Sequence, residues 1–225
     1  VLNGLDSVFE KEQPDLVLVH GDTSSSFAAA LAAFYHHIPV GHVEAGLRTY
    51  NMQSPYPEEF NRQAVDLITD MYFAPTELSK KQLLDEGKDT DKIFVTGNTV
   101  IDALQTTVSE DYQSDILDWC KGSRMILLTA HRRENIGVPM EHIFEAVKRI
   151  VCMHKDIKVI YPIHKNPKVR EIAKRYFDDC EQVKMIEPLD VYDFHNFMNR
   201  SYLILTDSGG IQEEAPSLGK PVLVM

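Results

Sequence analysis

The sequence predicts an α/β protein built from parallel sheets, and three observations carry that prediction. Apolar runs of strand length recur along the 225 residues, as at 15–20, 93–96, 125–129 and 202–206. Amphipathic or alanine-rich segments alternate with them, and strand–helix–strand alternation implies parallel strands with right-handed crossovers. The alternation weakens once, between about Ser109 and Ser123, where the chain turns acidic and polar, and then restarts. Two domains are therefore expected, 1–108 and 124–225, with 109–123 as the linker.

The first domain opens on the run Asp15 to His20, continuous enough to predict a strand covered on both faces. Ser25 to about His37 is alanine-rich and reads as a helix capped by Ser24 or Ser25. Pro39 to Val43 is a second strand. The proline-broken loop at Pro55 and Pro57 then delivers the chain into a helix from Glu58 to about Thr69. A short strand at Met71 to Ala74 follows, then a helix capped by Thr76 and reaching Glu86, then a strand at Ile93 to Thr96 closed by Gly97. In the second domain Met125 to Thr129 is a strand, Glu141 to about His154 an amphipathic helix, and Lys158 to Tyr161 a strand. A helix runs on to Phe177, a short one covers Tyr192 to Met198, and Tyr202 to Thr206 is a strand. It stops at Asp207-Ser-Gly-Gly210 and turns into a helix over Ile211 to Leu218, before a last strand begins at Pro221.

Composition narrows the function. A formal net charge of −11 argues against a nucleic-acid partner, which calls for a basic face. Cys120, Cys152 and Cys180 are far apart and form no CxxC pair, so they read as reduced thiols in a cytoplasmic protein. No apolar stretch approaches bilayer length and no signal peptide is visible, so no membrane partner is expected. The nine histidines include no HxxxH and no His-x-His, so no metal is expected. P-loop and dinucleotide fingerprints are absent, and no cofactor is implied.

The unusual residues fall where ligands bind in open α/β sheets, just after the carboxyl ends of predicted strands: Asp22, Glu44, His131, His164 and Ser208. A strand ending at Ser208-Gly-Gly210 leaves free N–H groups at a helix start, a setting that suits phosphate. Glu213 or Glu214 lies within reach of a ribose diol. A second reading makes Ser208 an ordinary helix cap with acidic residues after it. Asp22 is either an acid/base group at a strand end or a helix cap, and Glu44 either an active carboxylate or half of a surface pair with Arg48. Glu58 and Glu59 read as active carboxylates or as first-turn acids, and for Glu59 the second reading is preferred. His131 sits beside Arg132 and Arg133, a setting that helps hold an anion.

Seven segments in register carry a resemblance over nearly the whole chain. They are His20-Gly-Asp-Thr23, His42-Val-Glu-Ala-Gly-Leu-Arg-Thr49, Pro57-Glu-Glu-Phe-Asn-Arg62, Val95-Thr-Gly-Asn-Thr-Val-Ile-Asp102, Thr129-Ala-His-Arg-Arg-Glu-Asn135, Pro162-Ile-His-Lys-Asn-Pro167 and Asp207-Ser-Gly-Gly-Ile-Gln-Glu-Glu214. Together they resemble the non-hydrolysing UDP-N-acetylglucosamine 2-epimerases. The resemblance implies two Rossmann-like domains with parallel sheets facing a cleft, the glycosyltransferase-B-like architecture. Members of that family begin with a strand leading into a Gly-Thr-Arg-Pro-Glu loop and continue into a Thr-Glu-Arg-Pro-Glu segment. Neither is present, so the chain is expected to be incomplete at both ends.

The activity implied is reversible C2 epimerisation of UDP-N-acetylglucosamine to UDP-N-acetylmannosamine, by elimination and re-addition of UDP, for cell-envelope polysaccharide synthesis. Taking a proton from one face of C2 and returning it to the other calls for two separated acid/base groups. The resemblance assigns Asp22 and Glu58 to proton transfer, Glu44 to orientation, and His131 to the departing phosphate. It places Ser208, Gly209 and Gly210 on the diphosphate, Glu214 on the ribose, and Arg133, His164 and Phe194 among the substrate-binding residues. UDP-N-acetylglucosamine and UDP are the expected partners, with a homodimer in the full-length form. A hydrolysing epimerase, a UDP-sugar glycosyltransferase and a non-catalytic UDP-sugar-binding fragment are the alternatives.

Overall fold

The computed structural model describes the backbone of residues 1–225 and every side chain except that of Arg133. Contacts divide the chain into two units, Val1–Thr99 and Val100–Met225, each with one parallel sheet.

In the first unit the order is α1 (Leu2–Glu12), β1 (Val17–His20), α2 (Ser24–Tyr35), β2 (Val40–Val43), α3 (Glu58–Leu67), β3 (Met71–Ala74), α4 (Glu77–Asp85) and β4 (Ile93–Val95). The four strands lie side by side in chain order, β1-β2-β3-β4. Such an order sends every right-handed crossover over the same face of the sheet. Register agrees: Val19, His42 and Tyr72 are lateral neighbours, Tyr72 pairs with Ile93, and all four side chains are buried. The other face stays apolar and open. Leu18 is 59% exposed, and Phe73 stacks on the half-exposed Phe94 with ring centroids 5.8 Å apart. The expectation that residues 15–20 form a strand covered on both faces is thus corrected: β1 is an edge strand covered on one face. Thr23, rather than Ser24 or Ser25, caps α2, accepting from the Ser26 N–H at 3.2 Å.

The second unit runs α5 (Thr99–Thr107), α6 (Asp115–Trp119), β5 (Arg124–Thr129), α7 (Val138–Met153), β6 (Ile157–Pro162), α8 (Pro167–Phe177), β7 (Val183–Ile186), α9 (Val191–Arg200), β8 (Leu203–Thr206), α10 (Gly209–Ser217) and β9 (Val222–Val224). Its sheet order is β7-β6-β5-β8-β9. The chain reverses direction across the sheet between β5 and β8, a topological switch point where the loops leaving two neighbouring strands diverge. Helices cover both faces, around Phe144, Tyr161 and Phe177 on one side and Leu127, Phe197 and Ile204 on the other.

Residues 109–123 do not run as an open connection. Tyr112, Ile116, Leu117 and Trp119 pack on the core of the second unit. The Lys158 and Lys184 ammonium groups lie 4.6 and 4.7 Å from the Trp119 ring centre. Arg200 Nη2 holds the carbonyls of Ser109, Glu110 and Tyr112 at 2.8, 3.0 and 3.2 Å. The acidic residues of this stretch face outward and mask an apolar face too short to show a helical period. No helix among the described residues is long and apolar enough to cross a membrane.

Candidate functional site

In the first unit the candidate carboxylates stand at the carboxyl ends of β1 and β2 and at the start of α3. Gly21, with φ +68°, makes the turn after β1, and a Cβ there would lie 3.2 Å from Glu44 Oε2. Glycine permits that close approach. Glu44 itself adopts φ +72°, a left-handed conformation uncommon for a residue with a Cβ, and strain of this kind clusters at functional positions. Its carboxylate lies 3.6 Å from His20 Nε2. Asp22 is half-buried and held by the Arg62 guanidinium, while Asn61 Nδ2 donates to the Asp22 carbonyl at 2.8 Å. The Glu58 side chain is half-buried and has no hydrogen-bond or ion-pair partner among the described residues.

Beneath these groups lies a buried polar network that sequence reasoning did not single out. Glu59 is fully buried and accepts the backbone N–H groups of Thr49 and Tyr50 at 3.0 and 2.9 Å, with Gln63 at 2.7 Å. Burial pushes its carboxyl up, but these bonds and Arg62 outweigh it and hold the group below the usual glutamate range. Glu59 is therefore a loop anchor and not an ordinary first-turn acid. Asp66 is a second hub: Oδ1 meets His42 Nδ1 at 2.6 Å, and Oδ2 accepts from the Gly46 N–H at 3.1 Å and Arg48 Nη2 at 2.7 Å. Burial again opposes ionisation, and His42 and Arg48 outweigh it, holding Asp66 below the usual range. Arg48 also grips Glu86 at 2.7 Å, so the pairing of Glu44 with Arg48 is replaced by a buried one. Tyr72 above Asp66 is pushed up to about 12, by burial first and then by the Asp66 charge. The signal for His42 was its place two residues after the buried Val40, on the covered side of β2.

In the second unit the candidate residues gather at the switch point. The Thr129 and Thr206 hydroxyls bond at 2.6 Å where β5 and β8 end. Asp207, fully buried just beyond, accepts through Oδ2 the backbone N–H groups of His131 and Arg132, each at 2.8 Å, and Asn135 Nδ2 at 3.2 Å. Its Oδ1 lies 3.3 Å from His131 Nδ1, but the alignment there is not that of a hydrogen bond. It is a close polar contact that leaves the Oδ1 acceptor unfilled. The His131 ring stacks on His164, centroids 5.8 Å apart and planes 17° from parallel. Both rings line a cavity of about 270 Å³ with Pro188, Leu189, Phe194 and Ile211. A larger cavity of about 480 Å³, by Cys120 and the start of β5, lies away from every candidate residue.

Ser208 stands at the N-cap position of α10 but makes no side-chain cap bond, so its hydroxyl does not occupy the first N–H groups of that helix. Gly209 and Gly210 are exposed there, and a Cβ on Gly209 would come within 3.5 Å of Arg132 Nη2. Glu214 stands 3.4 Å from the Cβ position of Gly210 and 3.6 Å from the buried His195 Nε2. Burial first, and then the Glu213 charge, raise its carboxyl above the usual range. The side chain of Arg133 lies outside the described residues, so its expected part in the site is not described. Among the described residues no three His, Cys, Asp or Glu side chains gather as metal ligands would.

The second unit, a parallel sheet with an uncapped helix start, a carboxylate on that helix and an apolar slot at its switch point, belongs with the first to the glycosyltransferase-B-like fold class. The family model described as UDP-N-acetylglucosamine 2-epimerase matches residues 1–225. The chain is 61% identical over 221 residues to the Bacillus subtilis UDP-N-acetylglucosamine 2-epimerase, covering 98% of this chain and 58% of that one. It belongs to the UDP-N-acetylglucosamine 2-epimerase family. The Staphylococcus aureus MnaA–UDP structure superposes with a TM-score of 0.96 at 56% identity, over 99% of this chain and 61% of that one. The Neisseria meningitidis epimerase bound to UDP-N-acetylglucosamine gives 0.90 at 47% identity, over 99% and 62%. The chain thus spans about three fifths of the length of these relatives.

Proposed function

We propose that the protein interconverts UDP-N-acetylglucosamine and UDP-N-acetylmannosamine without hydrolysis, by eliminating and re-adding UDP, in the cytoplasm and in the service of cell-envelope polysaccharide synthesis. The observation that carries the reading is the division of chemistry between the units. The second supplies a nucleotide grip: the uncapped start of α10, Glu214, and the slot lined by His131, His164 and Phe194. Relatives solved with UDP and with UDP-N-acetylglucosamine support that ligand class. The first supplies carboxylates of contrasting environment, as proton removal and return at one carbon require. Asp22 is paired with Arg62, Glu44 is held in a left-handed turn, and Glu58 has no partner among the described residues.

In this reading Asp22 and Glu58 move the C2 proton, Glu44 orients the sugar, and His131 meets the charge developing on the departing phosphate. Ser208, Gly209 and Gly210 hold the diphosphate. Incubation with UDP-N-acetylglucosamine in deuterated water tests it. The expected products are the two UDP-sugars in exchange, labelled at C2. Release of free N-acetylmannosamine instead would establish the hydrolysing alternative, and unlabelled substrate with no product would refute epimerisation.

A further inference from the structure

The His42 ring is fully buried and lies between two acceptors. Nδ1 is 2.6 Å from Asp66 Oδ1 and Nε2 is 3.0 Å from the Gly21 carbonyl oxygen. A carbonyl accepts only, so Nε2 must carry a proton. Asp66 already accepts from the Gly46 N–H and from Arg48 on its other oxygen, the setting of an ionised carboxylate, so Nδ1 must carry one as well. A neutral imidazole has one N–H and satisfies only one of these contacts.

We propose that His42 is a positioning residue, held as a doubly protonated imidazolium that ties the Gly21–Asp22 turn after β1 to the Asp66 hub on α3. The charges around it balance the assignment. Asp66 faces it from α3 and Arg48 from the loop after β2; Glu86 lies beyond Arg48, and Tyr72 packs on Asp66 from β3. Asp66 simultaneously fixes the Gly46 N–H in the loop that follows Glu44, so one buried carboxylate sets the loops of two candidate carboxylates. A chain of charge-assisted bonds without solvent restricts both loops far more than either could alone. The imidazolium itself follows from this geometry alone, while the consequence for Asp22 rests on the epimerase reading.

Nitrogen-15 spectra of the histidine rings, with His42 assigned by its loss in His42→Gln, read the protonation directly. Both His42 nitrogens are expected at protonated shifts at neutral pH, and Asp66→Asn is expected to return one of them to the unprotonated position. An unprotonated nitrogen in the parent protein would overturn the imidazolium. The amide resonances of Gly21 and Asp22 are expected to move in His42→Gln, and unmoved resonances would overturn the positioning role. If His42→Gln does not fold, His42 is identified instead as the ring whose shifts change in Asp66→Asn, and the parent spectrum then decides the protonation state. In protein with turnover, His42→Gln should lower kcat by about 10-fold or more with KM changed less than about twofold, the pattern of a displaced group rather than a lost contact. Equal changes in both would overturn the role. A parent without turnover would refute the epimerase reading and leave the protonation state of His42 as the spectra give it.

Discussion

Asp207 Oδ2 lies 2.8 Å from the backbone nitrogen of His131, so a buried carboxylate at the end of β8 shapes the loop that leaves β5. The same oxygen takes the Arg132 N–H and Asn135 Nδ2. One residue thus closes the switch point and sets where the His131 ring stands. Asp207→Asn keeps the shape but weakens charge-assisted bonds, and should lower stability by about 1–3 kcal/mol. Trp119, the single tryptophan, lies in the same unit and reports the melt. An unchanged melting temperature would show that the loop holds itself.

Glu58 and Glu59 are neighbours with opposite roles. Glu59 satisfies two loop N–H groups in the interior, so Glu59→Gln should cost about 1–3 kcal/mol of stability. Glu58 is half-buried and has no partner among the described residues, so Glu58→Gln should leave the melt within about 0.5 kcal/mol. Thermal denaturation of the pair separates them, and equal losses would contradict the assignment. The pH dependence of stability adds a sign. Glu59 and Asp66 titrate lower in the folded protein than unfolded, so the unfolded chain binds protons first. Their contribution is whole above about pH 4.5 and is lost as pH falls through the lowered values. Asp66→Asn should flatten that acid limb in a circular-dichroism titration.

Two glycines in the loops and strands of the first unit should differ sharply. Gly46 has φ +82°, and a Cβ there would meet the Ser79 carbonyl at 2.4 Å, backbone that cannot give way. A Cβ on Gly41 meets only side chains, the tip of Leu18, which is 59% exposed, and the Phe73 ring at 3.2 Å. Gly46→Ala should cost about 3 kcal/mol or more, from strain and overlap together, and Gly41→Ala under about 1 kcal/mol. Urea denaturation midpoints decide it, and a mild Gly46→Ala would be the contrary result.

Strand positions and the loops after them were legible because a buried parallel strand and a glycine turn leave unmistakable marks. The places of Asp22, Glu44, His131, His164 and Ser208 all follow from those marks. What stayed hidden is pairing at a distance: Asp66 bonds His42 across 24 positions, and Asp207 bonds His131 across 76. Nothing local distinguishes such a carboxylate from a solvated one. The segment 109–123 misled for a related reason, since its lone Trp119 finds partners in Lys158 and Lys184 only once the sheet exists. Coverage of β1 was misjudged because an apolar run reads alike at the edge and in the middle of a sheet.

If Glu214 holds the ribose as proposed, it gives nucleotide binding a pH signature. Ribose hydroxyls donate to a carboxylate, so the ionised form binds, and burial raises the pH at which that form is lost. UDP affinity should therefore start to fall above the ordinary glutamate range as pH is lowered. Without ligand the sign for folding is opposite: a raised folded value favours the fold when protonated, and that gain disappears as pH rises. Calorimetric titration of UDP at several pH values checks this, with Glu214→Gln weakening binding and removing the slope. A slope unchanged in that variant would assign the pH effect to another group.

Asp22, Glu58 and His131 should act on turnover more than on binding. They follow β1 and β5 or open α3, and none of the three is fully buried: Asp22 and Glu58 are half-buried, and the His131 ring is 43% exposed. The proposed function puts nucleotide affinity elsewhere, at the start of α10 and Glu214, so Gly209→Val should weaken UDP binding far more than Asp22→Asn. Asp22→Asn, Glu58→Gln and His131→Asn should each lower kcat by about 10²-fold or more, the scale of a positioned acid/base group, with UDP affinity changed less than about threefold. Exchange of the C2 proton with deuterated solvent separates the three further. A variant that loses proton abstraction stops exchange and epimerisation together. His131→Asn should instead slow both through a poorer departure of UDP, in proportion to one another. Near-isosteric changes keep the folds intact, which melting curves verify. Turnover and exchange like those of the parent in all three variants would reduce these residues to caps and loop anchors and refute their part in an epimerase mechanism.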